Sequence, residues 1–205
     1  SRIKVFNLKS ALIIFVRNPV LGKVKSRLAA TLGKEKALDI YTALLAHTHK
    51  ISKYLSVDKF IFYEDFINKA DLWENAIYTK FLQEGDDLGE RMKNAFKKLF
   101  KKDYEKVIII GSDCYDLTSD TMVKGYNILS KKDFVLGPAS DGGYYLLGMN
   151  NFIPQIFDNK SWSSDNVYID TINQINDLQY TVDSLALLND IDVESDINFD
   201  KLKIV

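Results

Sequence analysis

Two groups of residues in this chain sit where they can handle a charged ligand. The first is "RNPVLGKVKSRLA" (17–29), which gathers Arg17, Lys23, Lys25 and Arg27 around a turn at Gly22. It follows a short apolar run, and a helical pattern begins near Lys25. A turn that opens into a helix presents unpaired backbone N–H groups, and cations beside it add charge-assisted hydrogen bonds, so the stretch is a candidate phosphate site. The competing reading is a set of solvated surface charges. It is not a Walker A loop: no Gly stands five positions before Gly22, and Lys25-Ser26 follows Val24. The second group is "GSDCYDL" (111–117), with Asp113 directly after the apolar run "KVIIIG". A carboxylate there can hold Mg²⁺, which takes one or two carboxylates and completes its shell with substrate phosphates. Alternatively Asp113 caps the next helix, although Thr118 and Ser119 already supply caps. Asp116 either reaches the same ion or faces solvent. Cys114 reads as a small buried residue, because no nearby His or helix start would lower its pKa.

Two further stretches carry weaker signals. In "QEGDDLGERM" (83–92), Gln83 and Gly85 can set a side-chain amide and bare backbone against a planar base, and Gly89 permits a close approach. A capped helix with Glu90 and Arg91 in its first turn accounts for the same residues. In "GPASDGGYYLLGM" (137–149), Asp141, Gly142 and Gly143 are either a hairpin turn or a place where backbone approaches a ligand beside a carboxylate.

The elements that must position these residues alternate. Short apolar runs at 11–16, 59–64, 80–85, 106–111, 133–139 and 143–149 read as strands, and "LALLNDID" (185–192) as a last one. Helical spacing spans 25–55 with a break at Gly33, and recurs after Asp87, Thr118 and Asn166. A short helix is expected around "KADLWENA", and "ESDINFDKL" begins a terminal one. This alternation predicts one α/β domain over 1–205: a three-layer α/β/α sandwich on a mixed, mainly parallel sheet. Ligands of such sheets bind outside the carboxyl ends of the strands, which is where the candidate residues lie.

Composition narrows the function. The 205 residues carry a net charge of -1, so no nucleic-acid partner is expected and any phosphate contact must come from a local basic patch. One cysteine excludes an intramolecular disulfide and fits a reducing, cytoplasmic compartment. No apolar run reaches membrane-span length, and no signal peptide is read at the N-terminus. His47 and His49 are two apart on a helix and make a poor metal pair. No GxSxG elbow or dinucleotide fingerprint occurs. Oligomeric state is not legible.

Taken in order, "FVRNPVLGKVKSRLA", "GDDLGERM", "GSDCYDL", "GPASDGGYYLLGM", "WSSDNV" and "LLNDIDVESDI" resemble the DUF2064 family over nearly the whole chain. That family is similar to glycosyltransferases of the GT-A fold, of the arsenosugar-biosynthesis type. The resemblance implies a Rossmann-like nucleotide-diphospho-sugar transferase fold that binds a nucleotide or nucleotide sugar and a divalent cation, Mg²⁺ or Mn²⁺. Fold relatives include 2-phospholactate guanylyltransferases and CMP-Kdo synthetases. By resemblance to the latter, Asp113 and Asp192 are the metal pair, and Asp196 is the helix-starting Asp that follows. Tyr115 stands for the usual Pro, Ser26 for Thr, and Val193-Glu194-Ser195 for Thr-Pro-Glu. In this setting Gly142 and Gly143 border donor or acceptor, and Asp141 points into the cleft. The loop 162–167 becomes the acceptor side through Trp162 and Ser164, unless Trp162 is a core anchor and Ser164 a helix cap.

Two chemistries fit. In glycosyl transfer to a small acceptor, metal and cations stabilise a departing nucleoside diphosphate and Asp141 takes the acceptor's proton. In nucleotidyl transfer, an acceptor phosphate attacks the α-phosphate of a nucleoside triphosphate and pyrophosphate leaves, with little need of a base. The density of cations in 17–27 suits the second, and the family resemblance suits the first, which is the leading expectation. A non-catalytic nucleotide-binding protein is the third; Asp113 argues against it.

Overall fold

The computed structural model describes residues 9–203. The expectation of no signal peptide concerns N-terminal residues that lie outside them. Seven strands form one sheet in the order β3-β2-β1-β4-β6-β5-β7. They are β1 Ser10–Val16, β2 Asp58–Tyr63, β3 Tyr78–Leu82, β4 Lys106–Ile110, β5 Phe134–Pro138, β6 Tyr144–Met149 and β7 Val182–Ser184. Only β6 runs against its neighbours β4 and β5; the other pairs are parallel. The expected mixed, mainly parallel α/β sandwich is therefore what the chain adopts.

The central strands show why. β1 and β4 are apolar on both faces because both faces are covered. Leu12, Ile14, Val16, Ile108 and Ile110 point into one core with Tyr41, Leu45, Met122 and Tyr126. Those partners come from α2 (Lys34–Ser52) and α4 (Ser119–Leu129). Ala11, Ile13, Val107 and Ile109 point into the other core, against α3 (Leu88–Phe100) and α5 (Val167–Asp177). On α3, Met92, Ala95, Phe96 and Leu99 fall on one face at helical spacing, and the Asp87 carboxylate caps it by accepting from the Glu90 N–H at 2.8 Å. A third cluster joins Leu28 of α1 (Ser26–Leu32) and Ala37, Ile40 and Leu44 of α2 to Ile191 and Leu202. It ties the late segment 190–203, including α6 (Phe199–Leu202), to the start of the chain.

Three expectations change. The segment around 69–76 forms turns rather than a helix, pinned by buried Trp73 and by Asp71, which accepts from Tyr63 Oη at 2.6 Å and pairs with Lys80 at 2.9 Å. The third strand starts earlier and ends at Leu82, so Gln83 lies just beyond it. The last strand is Val182–Ser184, not 185–192. Beyond it Leu188 makes one bridge to Ala139, next to a register shift at Gly137 and Pro138, and Leu187 projects into solvent.

Candidate functional site

The order in which strands are added reverses at β1: β2 and β3 lie to one side of it and β4, parallel to it, to the other. The crevice between the carboxyl ends of β1 and β4 is the place where such sheets bind ligands, and a cleft of about 580 Å³ opens there.

The loop after β1 is held rigidly. Tyr41 Oη accepts from the Arg17 N–H and donates to the Arg17 carbonyl, both at 2.9 Å. Buried Asn18 donates from Nδ2 to Asp65 Oδ1 at 2.8 Å and to the Phe66 carbonyl at 2.7 Å, joining this loop to the one after β2. Gly22 (φ 74°) makes the turn away from the cleft, and Lys25 takes a left-handed conformation (φ 49°, ψ 53°) as the chain enters α1. That conformation is uncommon for a residue with a side chain.

Lys25 is the centre of the site. Its side chain is 6% exposed. The ammonium lies 2.8 Å from Asp113 Oδ1 and 3.9 Å from Asp192 Oδ1, and donates to the Ile191 carbonyl at 2.7 Å. Arg27 pairs with the other oxygen of Asp192 at 2.5 Å. The Ile191 N–H donates to the Asp113 carbonyl at 2.8 Å, so residues distant in sequence are locked by backbone. Asp196 accepts from the N–H groups of Asp192 and Val193 at 3.0 and 2.9 Å, which fixes the turn that presents Asp192. Asp116 turns away to Lys201. Burial holds the Cys114 thiol up at about 12, which leaves it inert.

At the other wall, Glu64 directly follows β2 and binds two guanidiniums: Arg17 at 2.7 Å and Arg91 at 3.1 Å. Burial works to raise the Glu64 pKa, but these two partners outweigh it and hold it below the usual value. Gln83 lines the cleft, with Nε2 donating to the Phe62 carbonyl at 3.0 Å. Phe15, Leu88, Met92 and Tyr144 supply an apolar surface beside it.

Arg17, Lys25, Arg27, Gln83, Asp113 and Asp192 are thus brought to one cleft. Gly85, Asp141, Gly142, Gly143, Trp162 and Ser164 do not line it. Gly85 (φ 142°) is needed because a Cβ there would lie 2.8 Å from the Arg91 nitrogen. Gly142 (φ 90°) carries the Asp165 carbonyl 1.9 Å from where its Cβ would be, so the close approach there is made by the chain itself. The Gly143 N–H donates to Asp141 Oδ1 at 2.9 Å, closing the β5–β6 turn and leaving Asp141 exposed, with its charge acting on Asp190. Trp162 packs its ring on Gly89 and lies 6.4 Å from the Phe157 ring; Ser164 Oγ accepts from the Asn166 N–H at 3.3 Å.

Asp190 was not singled out from the sequence, nor were Glu64 and Arg91 assigned to the site. Asp190 lines the cleft, and burial, reinforced by the charges of Asp113 and Asp141, raises its pKa to about 7 against the opposing pull of Lys25. Glu64 obeys the strand-end rule that located Asp113, since it directly follows β2, whereas Asp190 lies beyond β7 and the isolated bridge at Leu188, where that rule does not reach.

A hard divalent cation would find two carboxylates, Asp113 and Asp192, that already share one positive charge, the Lys25 ammonium. The donor set fits Mg²⁺ or Mn²⁺ completed by ligand phosphates. Among the described residues, no three His, Cys, Asp or Glu side chains are grouped around one metal position, and no helix is long and apolar enough to cross a membrane.

Known proteins share the family and the fold. A protein from Desulfovibrio desulfuricans G20, provisionally named a nucleotide-diphospho-sugar transferase, is 35% identical with a TM-score of 0.83, covering 91% of this chain and 83% of its own. Two more distant structures share the fold. The inositol-1-phosphate CTP transferase of T. maritima is 13% identical (TM-score 0.54, covering 96% of this chain and 94% of its own). A Mycobacterium tuberculosis H37Rv protein solved in complex with manganese is 9% identical (TM-score 0.55, covering 97% and 100%). No curated protein matches. The profile of DUF2064, described as an uncharacterized protein conserved in bacteria, matches residues 47–164. Since that match takes in β2 through β6 and the Asp113 strand end, and the 35% identical structure extends the likeness over most of the remainder, the chain belongs to the DUF2064 family.

Proposed function

We propose that this protein is a nucleotide-dependent transferase, and specifically a glycosyltransferase that moves a sugar from a nucleoside-diphosphate sugar to a small acceptor. The observation that supports it most is the Lys25 ammonium between Asp113 and Asp192 in the switch-point cleft. A divalent cation bound to Asp113 and Asp192 would stabilise charge on the departing diphosphate. Lys25 and Arg27 bind the phosphates, and Arg17 and Gln83 bind the nucleoside end. The bond from the acceptor oxygen to the anomeric carbon forms as the bond from that carbon to the diphosphate oxygen breaks. The electron pair leaves with the diphosphate, and the acceptor proton passes to the exposed Asp141. Unpaired, buried Cys114 fits a reducing, cytoplasmic setting.

A second reading is nucleotidyl transfer. The observation that favours it is the number of cations on the cleft, Arg17, Lys25, Arg27 and Arg91, which suits a triphosphate. One experiment separates the two. The protein is incubated with nucleotide sugars, and separately with nucleoside triphosphates plus sugar phosphates, with and without Mg²⁺ or Mn²⁺. Metal-dependent release of nucleoside diphosphate supports glycosyl transfer, and pyrophosphate release supports the second reading. No turnover or binding with either donor class would overturn both.

A further inference from the structure

With Asp113 and Asp192 read as the cation pair, the environment of Lys25 links metal binding to donor binding. The ammonium has three protons. Two serve Asp113 Oδ1 at 2.8 Å and the Ile191 carbonyl at 2.7 Å, while Asp192 Oδ1 lies 3.9 Å from the nitrogen, beyond hydrogen-bond reach. Asp192 spends its other oxygen on Arg27 at 2.5 Å. Asp190 adds a third carboxylate to the same wall of the cleft. Mg²⁺ takes oxygen ligands at about 2.0–2.1 Å, and an ammonium bonded to Asp113 Oδ1 and 3.9 Å from Asp192 Oδ1 both blocks and repels such an ion. Lysine is suited to yield, being a compact charge on a flexible four-carbon stem.

We propose that Lys25 is a displaceable internal counter-ion: it holds Asp113 and Asp192 together until a divalent ion enters, and the ion expels its ammonium into the cleft, where it meets the donor's phosphates. Metal alone then binds weakly, because it must evict Lys25. Nucleotide alone binds weakly, because Lys25 is engaged with the carboxylates. Together each favours the other, and the coupling is reciprocal.

The test uses the full chain and Mn²⁺, with free Mn²⁺ read by electron paramagnetic resonance in the absence of nucleotide. Lys25→Met and Lys25→Gln are expected to bind Mn²⁺ at least tenfold more tightly than the unaltered protein. Equal or weaker binding in both variants overturns the proposal and makes Lys25 a support of the site. The unaltered protein provides a readout that needs no mutation: Mn²⁺ and a nucleoside diphosphate should each tighten the other's binding at least tenfold, and independent binding overturns the idea. If the unaltered protein binds nucleotide but never Mn²⁺, the assignment of Asp113 and Asp192 as the metal pair falls along with it. If it binds Mn²⁺ but Lys25 does not compete, the displacement alone falls.

Discussion

The carbonyl oxygen of Asp165 occupies the space that a side chain on Gly142 would need, 1.9 Å from the position of its Cβ. The Gly142 carbonyl in turn accepts from the Tyr168 N–H at 2.9 Å, so the β5–β6 turn and the start of α5 are clamped backbone to backbone. The expected outcome of Gly142→Ala is a loss of more than about 2 kcal/mol, from positive φ and backbone overlap together. Gly143→Ala meets only the Asp141 carboxylate, at 3.3 Å, and should cost less than about 1 kcal/mol. Denaturant midpoints of the two variants check the contrast.

Asp113→Asn should abolish metal-dependent nucleotide binding and leave the fold intact. The side chain is 44% exposed, and its backbone carbonyl, which the substitution retains, makes the bond to Ile191. Calorimetric titration with Mg²⁺ and nucleotide is the measurement. Unchanged affinity would remove Asp113 from the proposed metal pair.

Arg27→Ala separates ligand binding from stability. Arg27 is 68% exposed, and its pair with Asp192 is a surface ion pair, worth about 0–1 kcal/mol to the fold. A charge-assisted bond to a phosphate is worth about 1.5–3 kcal/mol. Diphosphate binding is therefore expected to weaken roughly tenfold to a hundredfold while nucleoside binding and the unfolding midpoint barely move. Equal losses for diphosphate and nucleoside would contradict the role.

Asp141→Asn keeps an oxygen to accept from the Gly143 N–H, so the turn should survive. Under glycosyl transfer with Asp141 as base, turnover should fall by about 10²–10⁴ with donor affinity little changed. Steady-state turnover beside donor titration decides it. A silent substitution would move the base elsewhere, with Asp190 the next carboxylate to replace.

His47, on α2 and outside the cleft lining, sets a pH dependence of stability. Its Nε2 lies 2.8 Å from the Leu117 carbonyl and its ring lies 4.5 Å from that of Tyr115, whose Oη donates to the Lys201 carbonyl at 3.2 Å. Burial lowers the His47 pKa, against the raising effect of the Leu117 carbonyl. The unfolded chain therefore takes up the proton first as pH falls. The stability contributed by neutral His47 is full above the unfolded value of about 6.5 and is lost as pH falls through the folded one. Unfolding midpoints across this window should fall more steeply for the unaltered protein than for His47→Gln; parallel profiles would refute the assignment.

Residue type and spacing alone determined the layered α/β architecture, because strands buried on both faces must be apolar throughout and helices must carry an apolar stripe. They also located Arg17, Lys25, Arg27, Gln83 and Asp113, because cleft residues of such a sheet directly follow its strands. Tertiary structure decided what is close in space but remote in sequence. Asp190 enters the site because the segment after β7 crosses back to Asp113 through the Ile191 N–H. Glu64 enters because two arginines from different elements converge on it. The glycine pair at 142–143 shows the limit most plainly. A glycine reports that something comes close, but a single strand of sequence cannot say whether that is a ligand or the protein's own backbone, and at Gly142 it is Asp165.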